Sequence, residues 1–526
     1  MPYFLNNNFK NNEFELVSKD KYFVDKTNMI ENINQLVGTK DRYICVTRPR
    51  RFGKTINAMM LASYYSKAAD FKQLFDNMEI SKSDSYKKHL NQRNVVYITW
   101  CNPTIEYNDY TEYINGFVPQ LISDFKNVFP KVHINENDFV GKIFDDIYSE
   151  TGEKFIFILD EWDYMFNNNL FEAEDRENFL QFLKKLLKDK PYVELAYMTG
   201  VLPIAKYSSG SALNMFVEFN MINDYKFDKY FGFTHEEVEM LCSKQNIISM
   251  NELAEWYNGY HSCTNLQIYN PRSVSLALSL RNCQSYWTST GPMDEISYYI
   301  ENNVEEVRDD IVQMVSEIPV NICLEGYGVE KISLQTREEI LSAMTVYGFL
   351  SYHDKTLCIP NKELRMKFDY ALKNHQMGEI SKLVLKSNEM LLATLNKDTQ
   401  TMEILLQEAH DINSPIIKYG DENSLASVIN LIYLNAKTEY RIRREEPAGI
   451  GFADFIFYPN DKRKPAFIIE LKRNSTPDKA LEQIRKNRYA LALRDYTGKK
   501  LAIGISYDNK LKNHKVKIED IVEVYK

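Results

Sequence analysis

The chain has 526 residues, of which 44% are hydrophobic and 26% are charged. This composition is ordinary for a folded protein, and the length predicts two or three domains, because one hydrophobic core rarely organises so many residues. The apolar runs are too short to cross a bilayer, no secretory signal opens the sequence, and the seven cysteines contain no CxxC pair. We therefore expect a cytoplasmic protein without a membrane partner or a disulfide framework.

The formal charge is distributed unevenly along the chain. Residues 431–526 contain 21 basic and 13 acidic residues, a net charge of +8, whereas the whole chain has a net charge of −9. A basic C-terminal region on an acidic body indicates that any contact with a polyanion is local to that region. A basic solvated face without a ligand is the alternative.

The first part of the chain alternates strand-like and helix-like segments. Apolar runs at 43–46, 94–100, 155–159 and 195–199 predict buried strands, and a helical pattern follows the first of them. Strands that alternate with helices predict a mostly parallel sheet covered on both faces. We assign residues 1–232 to this α/β domain.

Two further regions follow. Residues 233–415 have a mainly helical pattern, with a small β-like element at 348–359 that resembles part of a winged helix. Residues 416–526 predict a compact α/β domain in the order helix, strand, strand, helix, strand. Its predicted elements lie at 424–434, 451–458, 466–471, 477–491 and 501–506.

A phosphate-binding loop is predicted between the first strand and its helix. Residues 48–55 read RPRRFGKT, so main-chain N–H groups at the helix start could surround phosphate oxygens. Lys54 is suited to neutralise the β- and γ-phosphates of ATP, and the Thr55 hydroxyl is suited to bind Mg²⁺. Arg51, Phe52 and Gly53 complete the predicted nucleotide-binding loop. The general pattern has glycine where Arg48 stands.

A second element of the same site ends the strand at 155–159. Asp160 is placed to hold the Mg²⁺ shell, and Glu161 is placed to polarise the attacking water as a general base. Two solvated acids capping a buried strand are the alternative. Thr199, at the end of another strand, is a candidate contact for the γ-phosphate or a plain strand-terminal hydroxyl.

Three arginines of the loop need separate consideration. Guanidinium groups bind phosphate oxygens in a bidentate manner, so Arg48, Arg50 or Arg51 could reach nucleotide in the same chain or in a neighbouring subunit of a homo-oligomer. Local pairing with nearby acids is the alternative.

The C-terminal region contains an Asp…Glu-x-Lys pattern. Asp454 precedes Glu470 by 16 residues, and Lys472 follows on the same strand. Alternate residues of a strand share a face, so Glu470 and Lys472 point together while their neighbours enter a core. Two carboxylates on adjacent strands can chelate Mg²⁺ or Mn²⁺, and a lysine beside them can stabilise a phosphate in the transition state. The pattern alone is weak, because Glu-x-Lys is frequent on exposed strands.

The order of the motifs resembles a family of AAA-ATPase-like proteins fused to a PD-(D/E)XK nuclease domain. The matching segments are YFVDKT at 22–27, RPRRFGKT at 48–55, LDEWD at 159–163, TGV at 199–201, SALN at 211–214, FGFT at 231–234, WYNGY at 256–260, YNPRS at 269–273, YW at 286–287 and IPNKE at 359–363. The family itself carries arginine at position 48. This chain departs from it at Asn258, Arg272 and Met215, where the family usually has Asp, Trp and Asn.

The resemblance implies a P-loop ATPase domain, a helical and winged-helix-like middle region, and a restriction-endonuclease-like C-terminal domain. It also implies that Gln483 lies near the metal site and that Glu422 is an additional acidic metal ligand; a solvated residue at a helix start is the alternative for Glu422.

The expected function is an ATP-regulated, metal-dependent nuclease that acts on DNA or RNA, with a setting in defence against foreign nucleic acid implied by analogy. Basic residues suited to follow a nucleic-acid backbone are Arg441, Arg443, Arg444, Lys472, Arg473, Arg485 and Arg488. A nucleotide-switched module that binds nucleic acid or protein without cutting is the alternative, as is a P-loop that binds ATP without rapid hydrolysis.

Overall fold

The computed structural model describes residues 2–521 except 104, 169, 205–211, 223, 288–306, 316, 318, 323–333, 335, 375–377, 414–421, 434–435 and 437–438. Its helices are α1 (Asn8–Ser18), α2 (Met29–Asn34), α3 (Lys54–Tyr65), α4 (Lys72–Phe75), α5 (Tyr86–His89), α6 (Tyr110–Asn115), α7 (Val118–Val128), α8 (Val140–Thr151), α9 (Tyr164–Asn167), α10 (Ala173–Leu187), α11 (His235–Cys242), α12 (Met250–Tyr257), α13 (Pro271–Leu280), α14 (Val307–Val315), α15 (Arg337–Tyr347), α16 (Lys362–Asn374), α17 (Gly378–Asn396), α18 (Thr399–Asn413), α19 (Glu422–Ile432) and α20 (Pro477–Lys486). Its strands are β1 (Tyr43–Thr47), β2 (Asn94–Thr99), β3 (Phe155–Asp160), β4 (Val193–Gly200), β5 (Val217–Phe219), β6 (Phe233–Thr234), β7 (Tyr260–His261), β8 (Gln267–Tyr269), β9 (Val320–Asn321), β10 (Ser351–His353), β11 (Thr356–Cys358), β12 (Tyr440–Pro447), β13 (Phe452–Pro459), β14 (Ala466–Arg473), β15 (Lys500–Asp508) and β16 (Asn513–Asp520).

The chain divides into two compact units. Unit 1 contains residues 1–296 and 321–365, and unit 2 contains residues 297–320 and 366–526. The domain boundaries expected after residues 232 and 415 stay predictions. In the described part of the chain, no helix is both long enough and apolar enough to cross a membrane.

A parallel five-stranded sheet forms the centre of unit 1, in the order β2-β3-β4-β1-β5. Strand β3 is buried at all six positions, because apolar side chains pack on both faces of the sheet. The four predicted strands are confirmed, and the short β5 was not predicted. Since β1, β3 and β4 run parallel, their carboxyl ends meet at one edge, where the phosphate-loop segment and Asp160 lie.

The middle of the chain contains more β-structure than its helical pattern predicts. A small antiparallel sheet in the order β6-β8-β7 lies among α11, α12 and α13. Its strands are two or three residues long, too short to show a period-two pattern in the sequence. The predicted β-like element is confirmed as the hairpin β10–β11, which follows α15.

A mixed five-stranded sheet forms the centre of unit 2, in the order β12-β13-β14-β15-β16. Strands β14 and β15 are parallel, and the other neighbours are antiparallel. Helices α17, α18 and α19 pack on one face with Phe467 and Ile469, and α20 packs on the other with Ile468. Two edge strands, β12 and β16, were not predicted. The helix expected at 477–491 ends at Lys486, and a 3-10 helix (Tyr489–Leu493) follows.

Candidate functional sites

The phosphate-loop segment turns sharply between β1 and α3. Arg51 has φ +70° and Gly53 has φ +88°, a left-handed conformation that glycine adopts at little cost. Lys54 begins α3 and its Nζ donates to the carbonyl oxygens of Arg48 and Pro49, at 2.9 and 2.8 Å. Burial lowers the pKa of Lys54 to about 8, while the nearby acids, Asp163 foremost, oppose that shift. The amine is therefore held across the loop, where a phosphate group would meet it.

The acids predicted after β3 have different surroundings. Asp160 is fully buried and accepts hydrogen bonds from the Thr199 hydroxyl and, at 3.4 Å, from the Tyr97 hydroxyl. Glu161 is partly exposed and has φ +55°. Burial raises the pKa of Glu161, whereas a hydrogen bond from the Cys101 thiol lowers it. Glu161 thus reaches the cavity, and Asp160 and Thr199 stand behind it.

A cavity of about 790 Å³ lies over the loop. It is lined by all five predicted loop residues, Arg51 to Thr55, and by Glu161. Asp160 and Thr199 are not among its lining residues, so a contact of Thr199 with nucleotide stays a prediction. Further walls include the segment at 17–26 and α13, with Tyr22 and Arg272 among the lining residues. The cavity is large enough for a nucleotide-sized ligand and combines apolar walls with cationic groups.

The three loop arginines are used differently. The guanidinium group of Arg48 is buried, forms an ion pair with Asp224 and donates to the carbonyl oxygen of Phe219 at 2.8 Å. Local pairing, the alternative considered from the sequence, therefore describes Arg48. Arg50 and Arg51 line the cavity, and Arg51 donates to the carbonyl oxygen of Tyr286 at 2.8 Å.

The predicted acidic pair of unit 2 lies on the adjacent strands β13 and β14. Asp454 accepts a hydrogen bond from the main-chain N–H of Leu471 at 2.7 Å, which places its carboxylate against β14 next to Glu470. Lys472 Nζ donates to Glu470 Oε1 at 2.9 Å. The structure thus brings together Asp454, Glu470 and Lys472, separated by up to 18 residues in sequence.

Burial and like charge dominate the electrostatics of this cluster. Glu470 is only 2% exposed, and its buried Oε2 has no hydrogen-bond partner among the described residues. Burial, together with the charge of Asp454, raises the pKa of Glu470 to about 7, although Lys472 opposes the shift. Two carboxylates share a poorly solvated space, which is an arrangement that a positive charge stabilises.

The structure says less about the two other predicted site residues of this domain, Gln483 and Glu422. Gln483 lies on α20, which packs on the Glu470 face of the sheet, and its Nε2 donates to the Tyr489 hydroxyl at 3.1 Å. Glu422 begins α19, but its side chain lies outside the described residues. Their roles at the metal site stay predictions.

Two family models match this chain. Residues 9–209 match the model described as Predicted AAA-ATPase. Residues 420–517 match the model of the PD-(D/E)XK nuclease superfamily. The chain carries an AAA-ATPase-like domain and a C-terminal PD-(D/E)XK nuclease superfamily domain. The first match contains the phosphate loop and the second contains the acidic pair, so each family assignment coincides with one described site.

Similarity to individual proteins is distant. No curated protein sequence matches the chain. A Walker-type ATPase of Pyrococcus abyssi aligns over 67% of this chain and 95% of its own, with 13% identity and a TM-score of 0.35. The ORC2 protein of Aeropyrum pernix, solved with ADPNP and ADP, aligns over 68% of this chain and 93% of its own, with 11% identity and a TM-score of 0.32. These scores are too low to assign an activity.

The acidic pair of the nuclease-like domain suits a divalent cation that takes only one or two protein ligands. In the described part of the chain, no group of three or more His, Cys, Asp or Glu side chains is arranged to hold a metal. Mg²⁺ commonly takes one or two carboxylates and completes its shell with water and substrate phosphate oxygens. Asp454 and the unpartnered oxygen of Glu470 match that requirement.

The cavity of unit 1 is lined by two residues to which the sequence analysis assigned no role. Asp163 is buried, accepts hydrogen bonds from the N–H groups of Val201 and Leu202 at 3.0 and 2.9 Å, and so fixes the turn after β4 beside Lys54. Arg272 lines the cavity from the start of α13. Burial is the main cause of the lowered pKa of Arg51, and the charge of Arg272 lowers it further. Position 163 in the motif was visible in the sequence, whereas the approach of Arg272 depends on tertiary contacts.

Proposed function

We propose that this protein hydrolyses phosphodiester bonds of nucleic acid at Asp454, Glu470 and Lys472 with Mg²⁺ or Mn²⁺, and that it binds and hydrolyses ATP at the Lys54 cavity. The observation that carries the proposal is the pairing of Asp454 with the buried, incompletely bonded Glu470 beside the Lys472 amine. Such a cluster is costly unless a cation and a phosphate complete it.

Each residue of the cluster has a distinct task in the proposed reaction. Asp454 and Glu470 would hold the cation, which would supply the polarisation of the phosphate and the activation of the attacking water. The Leu471 N–H orients Asp454, and the hydrogen bond from Lys472 orients Glu470. Because Lys472 is 23% exposed, its amine can turn from Glu470 to the phosphate and stabilise the charge that develops there.

The ATP half of the proposal rests on the cavity of the ATPase-like domain. The main-chain N–H groups at the start of α3 and the Lys54 amine face the space where phosphates would lie. Thr55 lines the same space and provides the hydroxyl for Mg²⁺, while Asp160 stands behind. Glu161, at the cavity edge, is placed to orient water as a general base.

The test is a cleavage assay with the full chain on single- and double-stranded DNA and RNA, with and without ATP and Mg²⁺. Asp454→Ala and Glu470→Ala should each abolish cleavage, and Glu482→Ala, which removes an exposed carboxylate of α20, should leave it intact. Glu161→Gln should retain ATP binding and lose ATP hydrolysis. Cleavage that is absent, or that survives both carboxylate variants, would instead support nucleotide-switched binding without cutting.

A further inference from the structure

The turn between β12 and β13 exposes two large apolar side chains beside the acidic pair. We define the hairpin tip as residues 448–452. Within it, Ile450 is 74% exposed and Phe452 is 62% exposed. Phe452 precedes Asp454 by two positions on β13, so an uncovered aromatic ring lies one strand repeat from a proposed metal ligand.

The exposure of the hairpin tip is built into its backbone. The Ile450 N–H donates to the carbonyl oxygen of Asn487 at 2.8 Å, and the Ala448 N–H donates to the carbonyl oxygen of Gly451 at 2.9 Å. Gly449 lies so close to the end of α20 that an added Cβ would stand 1.9 Å from the Asn487 carbonyl oxygen. The backbone is therefore fixed against α20 while both apolar side chains face outward.

The support under the hairpin tip lies on the same side of the sheet as Glu470. Ala448 belongs to the cluster in which Leu481 and Ile484 of α20 pack against Ile468. Ile468 and Glu470 are alternate residues of β14 and share a face. The fixed tip and the acidic pair thus border the same surface.

That surface is also basic. Lys486 and Arg488, at the end of α20, are exposed next to the Asn487 carbonyl that holds the hairpin tip. Arg443 lies on β12, the other arm of the hairpin, and pairs with Ile456, which belongs to the hydrophobic cluster on the Glu470 face of the sheet. Cationic side chains on the segments that flank the hairpin tip, together with its exposed aromatic ring, match a nucleic-acid strand, because the strand's backbone is anionic and its bases present apolar faces.

We propose that Phe452 and Ile450 stack on or wedge against an unpaired base of the strand bound at the acidic pair, so that the nuclease-like domain prefers single-stranded or locally opened nucleic acid. This inference rests on the proposed function. A rigid ring loses little conformational entropy on stacking, and a pinned hairpin delivers it at a fixed distance from the scissile phosphate. A base within a closed duplex offers no free face to the ring.

The direct test introduces a fluorescent probe at the ring. Phe452→Trp is made in the full chain with Glu470→Ala, which prevents cleavage. A single-stranded oligodeoxynucleotide should quench the new tryptophan, and the matched blunt duplex should quench it much less. Leu392→Trp, at a position 60% exposed on α17 on the opposite face of the sheet, should respond to neither. Equal responses at both positions, or none at position 452 despite measurable binding, would overturn the inference.

A second measurement separates this inference from the proposed function. The double variant Phe452→Ala, Ile450→Ser should weaken single-strand binding roughly tenfold and leave duplex binding almost unchanged. The single variant Phe452→Trp, which keeps an aromatic ring, should retain single-strand binding. If the wild-type chain cuts nucleic acid and the double variant cuts single strands equally well, the inference fails and the nuclease stands. If no nucleic acid is cut, the proposed function fails, and the binding ratio still decides the role of the tip. If the double variant differs from wild type in its molecular mass in solution and not in nucleic-acid binding, the inference fails and the tip is a contact between copies of the chain.

Discussion

Arg48 occupies the position where the general phosphate-loop pattern has a glycine. Its guanidinium group is 1% exposed, pairs with the fully buried Asp224 and lies 4.9 Å from the centre of the Phe231 ring. Asp224 also accepts hydrogen bonds from the N–H groups of Lys226 and Phe227, at 2.9 and 2.6 Å. Arg48 therefore links the loop to the chain segment after β5, a role that a glycine does not have.

Replacing Arg48 by the glycine of the general pattern should destabilise this protein. Arg48→Gly leaves Asp224 as a buried charge without its partner, and breaking such a pair typically costs about 3–5 kcal/mol. We expect the free energy of unfolding of unit 1 to fall by that order in denaturant titrations, with no gain in ATP affinity.

The companion variant isolates the cause. Arg48→Gly combined with Asp224→Asn should recover part of the lost stability, because the uncompensated charge is removed. Unfolding midpoints that are equal for wild type and Arg48→Gly, or tighter ATP binding by the variant, would show that the ion pair does not support the loop.

The residues that sequence reasoning identified share a feature at this scale. Lys54, Glu161, Asp454 and Glu470 lie in short motifs next to apolar strands, so their chemistry is visible locally. Asp224 lies 176 residues from Arg48, and nothing near either residue indicates the pairing. Partners of this kind depend on the tertiary fold, and a single sequence does not contain that information in a local pattern.

At the scale of elements, burial decided which strands could be predicted. Strand β14 is buried over its first six residues and has a continuous apolar run, which marks a central strand. Strands β12 and β16 lie at the sheet edges and carry many charged residues, so their composition resembles that of loops. The sheet centre and its acidic pair were therefore predictable, and the sheet width was not.

Strand β16 contains a buried histidine, His514, packed among aromatic rings. The His514 ring lies 5.1 Å from the His410 ring and 4.8 Å from the Tyr507 ring, and its Nδ1 is 3.1 Å from Gln407 Oε1. Burial lowers the pKa of His514 to about 3, and the charge of His410 adds to the shift. Burial lowers the pKa of His410 as well, with Asp411 opposing and Lys512 supporting the shift.

A depressed histidine pKa gives a definite direction to the pH dependence. The unfolded chain takes up a proton near pH 6.5 and the folded chain does not, so this stability is complete above that pH and is lost as the pH falls toward 3. We expect wild-type stability to fall by on the order of 1 kcal/mol per pH unit below about pH 6.5 for this residue.

The measurement compares the slopes of unfolding free energy against pH. His514→Phe keeps an aromatic ring and removes the titrating group, so its slope between about pH 6.5 and 5 should be shallower than that of wild type, even if its stability at neutral pH is lower. His133→Gln, at an exposed position in unit 1, should leave the slope as in wild type. Parallel slopes for wild type and His514→Phe would contradict the assignment.

On the scale of the whole molecule, the two proposed activities belong to separate units. Every residue that lines the ATP cavity lies within residues 1–296, which are part of unit 1. Asp454, Glu470 and Lys472 lie in unit 2, whose hydrophobic core is built from α17 to α19 and the C-terminal sheet. Each unit therefore has its own core and its own candidate site.

Because each unit has its own core, we expect two unfolding transitions in calorimetry. ATP with Mg²⁺ should raise the midpoint temperature of the unit 1 transition and leave that of unit 2 unchanged. A ligand at about 100 times its Kd stabilises the folded state that binds it by about 2.7 kcal/mol. Lys54→Ala should abolish that shift, because the amine that meets the phosphates is lost, and should leave both transitions in place without ATP. Glu470→Ala should retain the ATP shift. A single transition whose midpoint ATP raises would show that the two units unfold as one cooperative body. A shift with ATP that persists in Lys54→Ala would show that ATP does not bind at the loop before α3.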